Sequence, residues 1–139
     1  MALNGQEYAK AITSTKSDAS MSGGNLRTVT DVVTFGAEAA GSTYVVGGIT
    51  LPVGAVVHYG VLNTDTSSGS TTLAIGVAGS TGKYRAAAAF TTTNTPTLFG
   101  VNAGVGTALT AAEQIIITTA AATAPSSGRL VVTIVYSVA

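Results

Sequence analysis

"TLAIGVAGSTGKYRAAAAF", residues 72–90, admits three readings: a phosphate-binding loop, a helix, or two strands and their connection. A phosphate loop requires a glycine, four residues, Gly-Lys and then Ser or Thr. Gly82-Lys83 matches the second half, but Val77 stands where the first glycine belongs and Tyr84 replaces the hydroxyl that would hold magnesium. A helix needs apolar residues at i, i+3, i+4 and i+7, and no stretch of this chain sustains that pattern. The third reading remains: a strand from Thr72, a turn over Gly79–Gly82, and a second strand through Lys83, Tyr84, Arg85 and the four alanines to Phe90. On a strand, neighbouring side chains face opposite ways. Tyr84 is therefore expected on the apolar face with its hydroxyl at the rim, and Lys83 and Arg85 on the other, facing solvent or a partner's carboxylates. Ala86, Ala87, Ala88 and Ala89 would let a second layer or a neighbouring subunit approach closely.

The same texture extends on both sides. "LRTVTDVVTF" alternates, with a change of phase at Val32-Val33 that predicts a bulge or burial on both sides. "STYVVGGITL" is interrupted by Gly47-Gly48, and Pro52 and Gly54 mark a turn before "AVVHYGVLNT". "NTDTSSGS" is a loop. "TTLAIGVA", "KYRAAAAF", "TPTLFGV", "EQIIITTA" and "RLVVTIVYSV" complete about eight β-rich runs punctuated by turn signals. The expected fold is all-β: a single β-sandwich, jelly-roll-like, with an extended N-terminal arm. The sandwich is assigned to residues 26–139 and the arm to residues 1–25. Inward positions are read as Val33, Phe35, Val45, Val57, Leu73, Ile75, Phe90, Ile116, Val132 and Ile134. Thr110 and Glu113 match a capping box, so one short helical turn is allowed before the β-branched isoleucines.

Length and composition bound the rest. The chain has 139 residues, enough for one domain with a core of its own. There is no cysteine, so neither disulfides nor thiolate chemistry is available. Only 9% of residues are charged, and six basic residues balance six acidic ones. A neutral chain has no field to draw it onto nucleic acid or anionic lipid, and no stretch carries the ~18 continuous apolar residues that span a bilayer. The opening "MALNGQEYAKA" lacks the basic flank and apolar run of a signal peptide. Thr, Ser, Ala and Gly replace the missing charge. Such a surface belongs either to a plain neutral domain or to one extensively covered by partners.

The search for chemistry comes back empty. His58 is the only histidine, and it lies between Val57 and Tyr59 in an apolar run, where a half-buried or surface strand histidine is the ordinary outcome. One histidine and the scattered acids Asp31, Glu38, Asp65 and Glu113 form no metal-ligand spacing. A glycosidase pair would need two of those acids facing each other, which sequence does not show. No catalytic, cofactor-binding or metal residue is assigned, no cofactor is expected, and the protein is expected not to be an enzyme.

Taken in order, "LPVGAVVHYGVL", a Ser/Gly-rich loop, "TTLAIGVAGSTGKYRAAAAF", "TLFG", "LTAAEQIIITTAAA" and "SGRLVVTIVYS" resemble a widespread group of small virion proteins of tailed bacteriophages, over residues 26–137. The resemblance is to the capsid decoration class, also called cement or head auxiliary proteins. It implies a compact β-rich module, commonly a homotrimer, made in the host bacterial cytoplasm and seated on the capsid exterior. There it would bind the major capsid protein and stabilise the shell, without nucleic acid or membrane as partner. Subunit contacts would then involve Lys83, Arg85 and Ala86–Ala89. In the arm, Leu3, Tyr8 and Ile12 are expected to fill pockets on the shell while Lys10 and Lys16 meet carboxylates. Alternatives are another virion role (a head fibre base or tail component) and a carbohydrate-binding sandwich. The latter usually displays aromatic rings, and this chain has no Trp, five Tyr and three Phe.

Overall fold

The computed structural model describes residues 25–138, apart from the side chain of Ile49. The residues Leu3, Tyr8, Lys10, Ile12 and Lys16 lie outside the described range. Eight strands follow in order: β1 (Asn25–Thr34), β2 (Thr43–Leu51), β3 (Val56–Thr64), β4 (Thr72–Val77), β5 (Ser80–Ala89), β6 (Thr97–Phe99), β7 (Glu113–Ala120) and β8 (Arg129–Val138). They form two four-stranded sheets, β1-β8-β3-β6 and β2-β7-β4-β5, antiparallel at every pairing. First pairs with last, second with seventh, third with sixth and fourth with fifth. The chain is thus one long hairpin rolled up on itself, and the stretch 72–90 is its tip. That is the jelly-roll sandwich, as the spacing of the β-rich runs predicts.

The tip forms through an Ala78–Gly79 connection between Val77 and Ser80, which are paired. Gly79 takes φ 85°, a conformation that glycine adopts without steric cost. The turn is therefore shorter than the Gly79–Gly82 segment expected, and Ser80–Gly82 already belong to β5. No helical turn forms at 110–113. Glu113 opens β7, and its carboxylate is engaged elsewhere.

Facing rows of the two sheets make the core: Leu62, Leu130, Val132 and Ile134 from one, Leu51, Leu73, Ile75 and Ile117 from the other, each 0–1% exposed. Each such side chain contributes about 1.5–3 kcal/mol by leaving water. Val33, Phe35, Val57 and Phe90 are buried as read. Two inward assignments are corrected. Val45 is 43% exposed while Val46 is 2% exposed. Ile116 faces outward and half-buried, while Ile115 and Ile117 are buried. A run of like apolar residues does not declare which of its two phases points inward. In β2 the phase also changes along the strand. Gly47 and Gly48 both have positive φ, and the pairing with β7 shifts register between Val45 and Thr50.

β1, by contrast, runs in unbroken register with β8, and neither the bulge nor the two-sided burial expected at Val32-Val33 occurs. Val33 points in and Val32 out. Asp31, on the inward side of this edge strand, takes the Gly47 N–H at 2.7 Å and the Val32 N–H at 2.8 Å. It ties the β2 irregularity to the edge of the opposite sheet, so this acid is spent on the backbone.

Candidate functional site

The tip of the hairpin is also where charge is concentrated. Thr81–Tyr84 stand opposite the single residue Gly76, because β4 advances two residues between its pairings with Arg85 and Ser80 while β5 advances five. Burial still alternates here, with Tyr84 inside and Lys83 and Arg85 half-exposed, but the wide bulge lets the Lys83 and Tyr84 side chains meet. Lys83 and Tyr84 converge on one carboxylate: Lys83 Nζ forms an ion pair with Glu113 Oε1, and Tyr84 Oη donates to Glu113 Oε2 at 2.6 Å. Tyr84 is 1% exposed with its ring in the core, and its hydroxyl reaches the part-exposed Glu113 carboxylate at the rim, as expected. Burial, then the hydrogen bond to Glu113, push its hydroxyl pKa well above the ordinary tyrosine value.

Arg85 serves the backbone. Ala86 and Ala87 stand opposite Ala74, a second irregularity of the same hairpin. Across it Arg85 Nη1 donates to the Leu73 carbonyl and, at 3.1 Å, to that of Ala88. The guanidinium lies 5.8 Å from the Phe90 ring centroid. The two cations expected to meet solvent or a partner are therefore engaged within their own chain. Ala86–Ala89 are all exposed along the outer strand of their sheet, as close approach by a neighbour would require.

The segment after β6 closes over this bulge. Val101 N–H bonds to the Tyr84 carbonyl at 2.9 Å, and Gly106 N–H to the Val57 carbonyl at 2.9 Å. A Cβ on Gly104 would run into the Lys83 carbonyl oxygen, so glycine alone fits there. Between the two segments lies a shallow open cleft of about 760 Å3, lined by Gly79–Lys83, Val101, Ala103, Gly104 and Glu113 among others. No aromatic ring lines it, and its cation and carboxylate neutralise each other, so it lacks the stacking platform of a sugar site.

The remaining titratable groups also have structural duties. His58 Nε2 lies 2.8 Å from Ser137 Oγ on the outer face of the β1-β8-β3-β6 sheet. Ser137 is 3% exposed, and among the described residues no carboxylate orients the imidazole. No group of three or more His, Cys, Asp or Glu that could hold a metal occurs among the described residues.

Asp65 accepts from the Arg129 N–H at 2.7 Å and the Thr66 hydroxyl at 2.9 Å, which hold its carboxyl below the ordinary range. The Gly36 N–H does the same for Glu38. Both groups bind protons less readily folded than unfolded. Their stabilisation is complete above the ordinary carboxylate range, about pH 4, and is lost as pH falls through the lowered values. Urea midpoints should therefore fall between pH 5 and pH 2.5, and Asp65→Asn should flatten that fall. A pH profile unchanged in the variant would remove Asp65 from this account.

Sequence reading missed the outer face of the β1-β8-β3-β6 sheet, although the signal was present. Thr28, Thr30, Val32, Tyr59, Val61, Asn63, Val131, Thr133 and Val135 alternate with inward-facing residues along β1, β3 and β8, and none of these nine is charged. Leu98, paired with Val61, is 71% exposed.

No family model matches the sequence, and no curated protein matches it. Solved structures do. A chain of the cyanophage Pam1 capsid asymmetric unit is 26% identical, with a TM-score of 0.69, over 84% of this chain and 86% of that one. A chain of the Ralstonia phage GP4 capsid is 18% identical, with a TM-score of 0.64, over 84% and 86%. One from the acid-stable capsid of Helicobacter pylori bacteriophage KHP30 is 12% identical, with a TM-score of 0.51, over 82% and 94%. By fold the chain groups with phage virion proteins, in agreement with the resemblance carried by its sequence motifs.

Proposed function

We propose that this protein is a capsid decoration protein: a homotrimer that seats on the exterior of a phage head, binds the major capsid protein and stabilises the shell. The likeness to a Pam1 capsid chain along most of both chains carries the reading. The neutral surface and the structural employment of Asp31, Lys83, Arg85 and Glu113 support a role without catalysis. The mechanism is mechanical. Each module buries surface against more than one capsid subunit, so separating those subunits costs additional free energy. A contact of about 800 Å2 per partner is enough for specific binding, and many copies on one shell add avidity.

The test uses shells assembled from the major capsid protein alone. Added protein should bind them saturably, appear as density on the outer surface, and raise the temperature at which the shells break. Failure of shells to assemble without it would instead make it a shell subunit; density at the tail or on a head fibre would move it to another virion role. Removing residues 2–24 is expected to leave the oligomer intact and abolish shell binding, because Leu3, Tyr8, Lys10, Ile12 and Lys16 are the proposed anchors. Unchanged affinity of the truncated protein would refute that role for the arm.

A further inference from the structure

The two ends of the sandwich are built differently. One end gathers the start of β1, where Asn25 pairs with Val138, the start of β3, where Val56 pairs with Ser137 and bridges to Ala108, and the start of β7, where Glu113 pairs with Leu51. The hairpin tip lies there too, since Glu113 meets Lys83, and with it the open cleft beside Val101, Ala103 and Gly104. The other end carries the linkers 35–42, 65–71, 90–96 and 121–128. These are stitched together. The Phe35 N–H bonds to the Gly128 carbonyl, the Ala37 N–H to that of Pro125, the Ala124 N–H to that of Glu38 and the Ser68 N–H to that of Phe90.

Exposed apolar side chains follow the same division. Leu26 is 68% exposed, Val53 64% and Val101 37%, all at the first end. The other large apolar side chains exposed among the described residues, Val32, Val45, Tyr59 and Leu98, lie further along strands, and none belongs to the linkers of the second end. Those linkers expose mainly threonine, serine, alanine and glycine, with Glu38, Asp65 and, at the start of β8, Arg129 as charges. The charged residues of the first end are Arg27 and the Lys83–Glu113 pair.

We infer that the protein stands on the shell by the first end. Leu26, Val53, Val101 and the cleft then meet an apolar, weakly charged surface of the major capsid protein, and the hydroxyl-rich end faces solvent. The inference rests on the decoration reading and adds an orientation to it. Exposed aliphatic groups gathered at one end mark a contact surface. The chain itself indicates what covers them. Twenty-four residues precede Asn25, and they enter the sandwich at this end. The nearest proposed anchor, Lys16, is nine residues away, a reach of at most ~32 Å. β1, with ten residues, is itself about 33 Å long. A shell held by the arm therefore lies beside the first end. Docking by the second end would demand a fully extended tether and leave Leu26 and Val53 in water. Attachment through the arm also raises the effective concentration of the shell at the nearer end, an effect that fades with tether length.

The test uses shells of the major capsid protein and single-cysteine chains, the parent having no cysteine. Val53→Cys and, on the other end, Ser126→Cys are treated with a maleimide before and after shell binding. Val53→Cys should react in the free protein and at least tenfold more slowly on the shell, and Ser126→Cys at the same rate in both. Leu26→Lys and Val53→Lys should weaken shell binding at least tenfold while keeping the parent's circular dichroism and its mass in light scattering. Thr93→Lys and Ser126→Lys, on the second end, should bind as the parent does. A Val53→Cys thiol that reacts as fast on the shell as in solution overturns the inference and leaves the decoration reading standing. Protection of Ser126→Cys in its place puts the opposite end on the shell, and protection of Val53→Cys already complete in the free protein assigns this end to contact between copies; each overturns the orientation. A parent that does not bind shells removes the decoration reading and the inference with it.

Discussion

A Glu113→Ala variant is expected to unfold about 2–3 kcal/mol more easily than the parent. The substitution removes the acceptor of the Tyr84 hydroxyl, whose side chain is 1% exposed. A buried polar group left unpaired costs about 1–3 kcal/mol. The Lys83 ion pair adds less, because the two side chains remain 26% and 17% exposed and solvent screens them. Tyr84→Phe should cost only about 1 kcal/mol, since it deletes the hydroxyl together with its need for a partner, while Glu113 keeps Lys83. Urea denaturation checks both. A Glu113→Ala midpoint equal to the parent's would show that the cluster does not hold the bulge in place.

Gly76→Ala should be at least as damaging, by about 3 kcal/mol, although it adds one methyl group. The new Cβ would collide with the Ser80 carbonyl oxygen and lie 2.6 Å from that of Thr81. Both belong to the backbone of the bulge that carries Lys83 and Tyr84 to Glu113, so relief requires that bulge to move. Gly82→Ala supplies the contrast. Its nearest neighbour would be the Ala86 Cα at 3.4 Å, an ordinary contact, and the expected change is below about 1 kcal/mol. Thermal melts of the two variants should therefore separate clearly. Equal melting temperatures would mean that the bulge tolerates displacement at Gly76.

The architecture was legible because it rests on local signals. Alternation and turn residues are readable over short windows. β7 and β8 begin and end where the runs "EQIIITTA" and "RLVVTIVYSV" do, and the loop "NTDTSSGS" separates β3 from β4. The phase of a strand was less legible. In "IIIT" either the outer isoleucines or the middle one can face inward, and only the facing sheet selects Ile115 and Ile117. In β2 the two glycines announced an interruption, but not that Val46 rather than Val45 would turn in.

The site depended on distance along the chain. Lys83 and Tyr84 are adjacent, and alternation alone would keep their side chains apart; at the bulge opposite Gly76 both reach Glu113. Glu113, thirty residues from Lys83, showed only a capping-box pattern, and nothing local reveals that β7, two strands away in the same sheet, brings it to β5. By itself the sequence determined the number and order of strands, the scarcity of charge and the absence of a local catalytic motif, since propensity, turn chemistry and composition are properties of neighbours. The tertiary structure alone decided which side of each strand is core, how the few charges are consumed, and that uncharged residues from four strands share one outer face, because those outcomes depend on pairings between residues up to 113 positions apart, as in Asn25 with Val138.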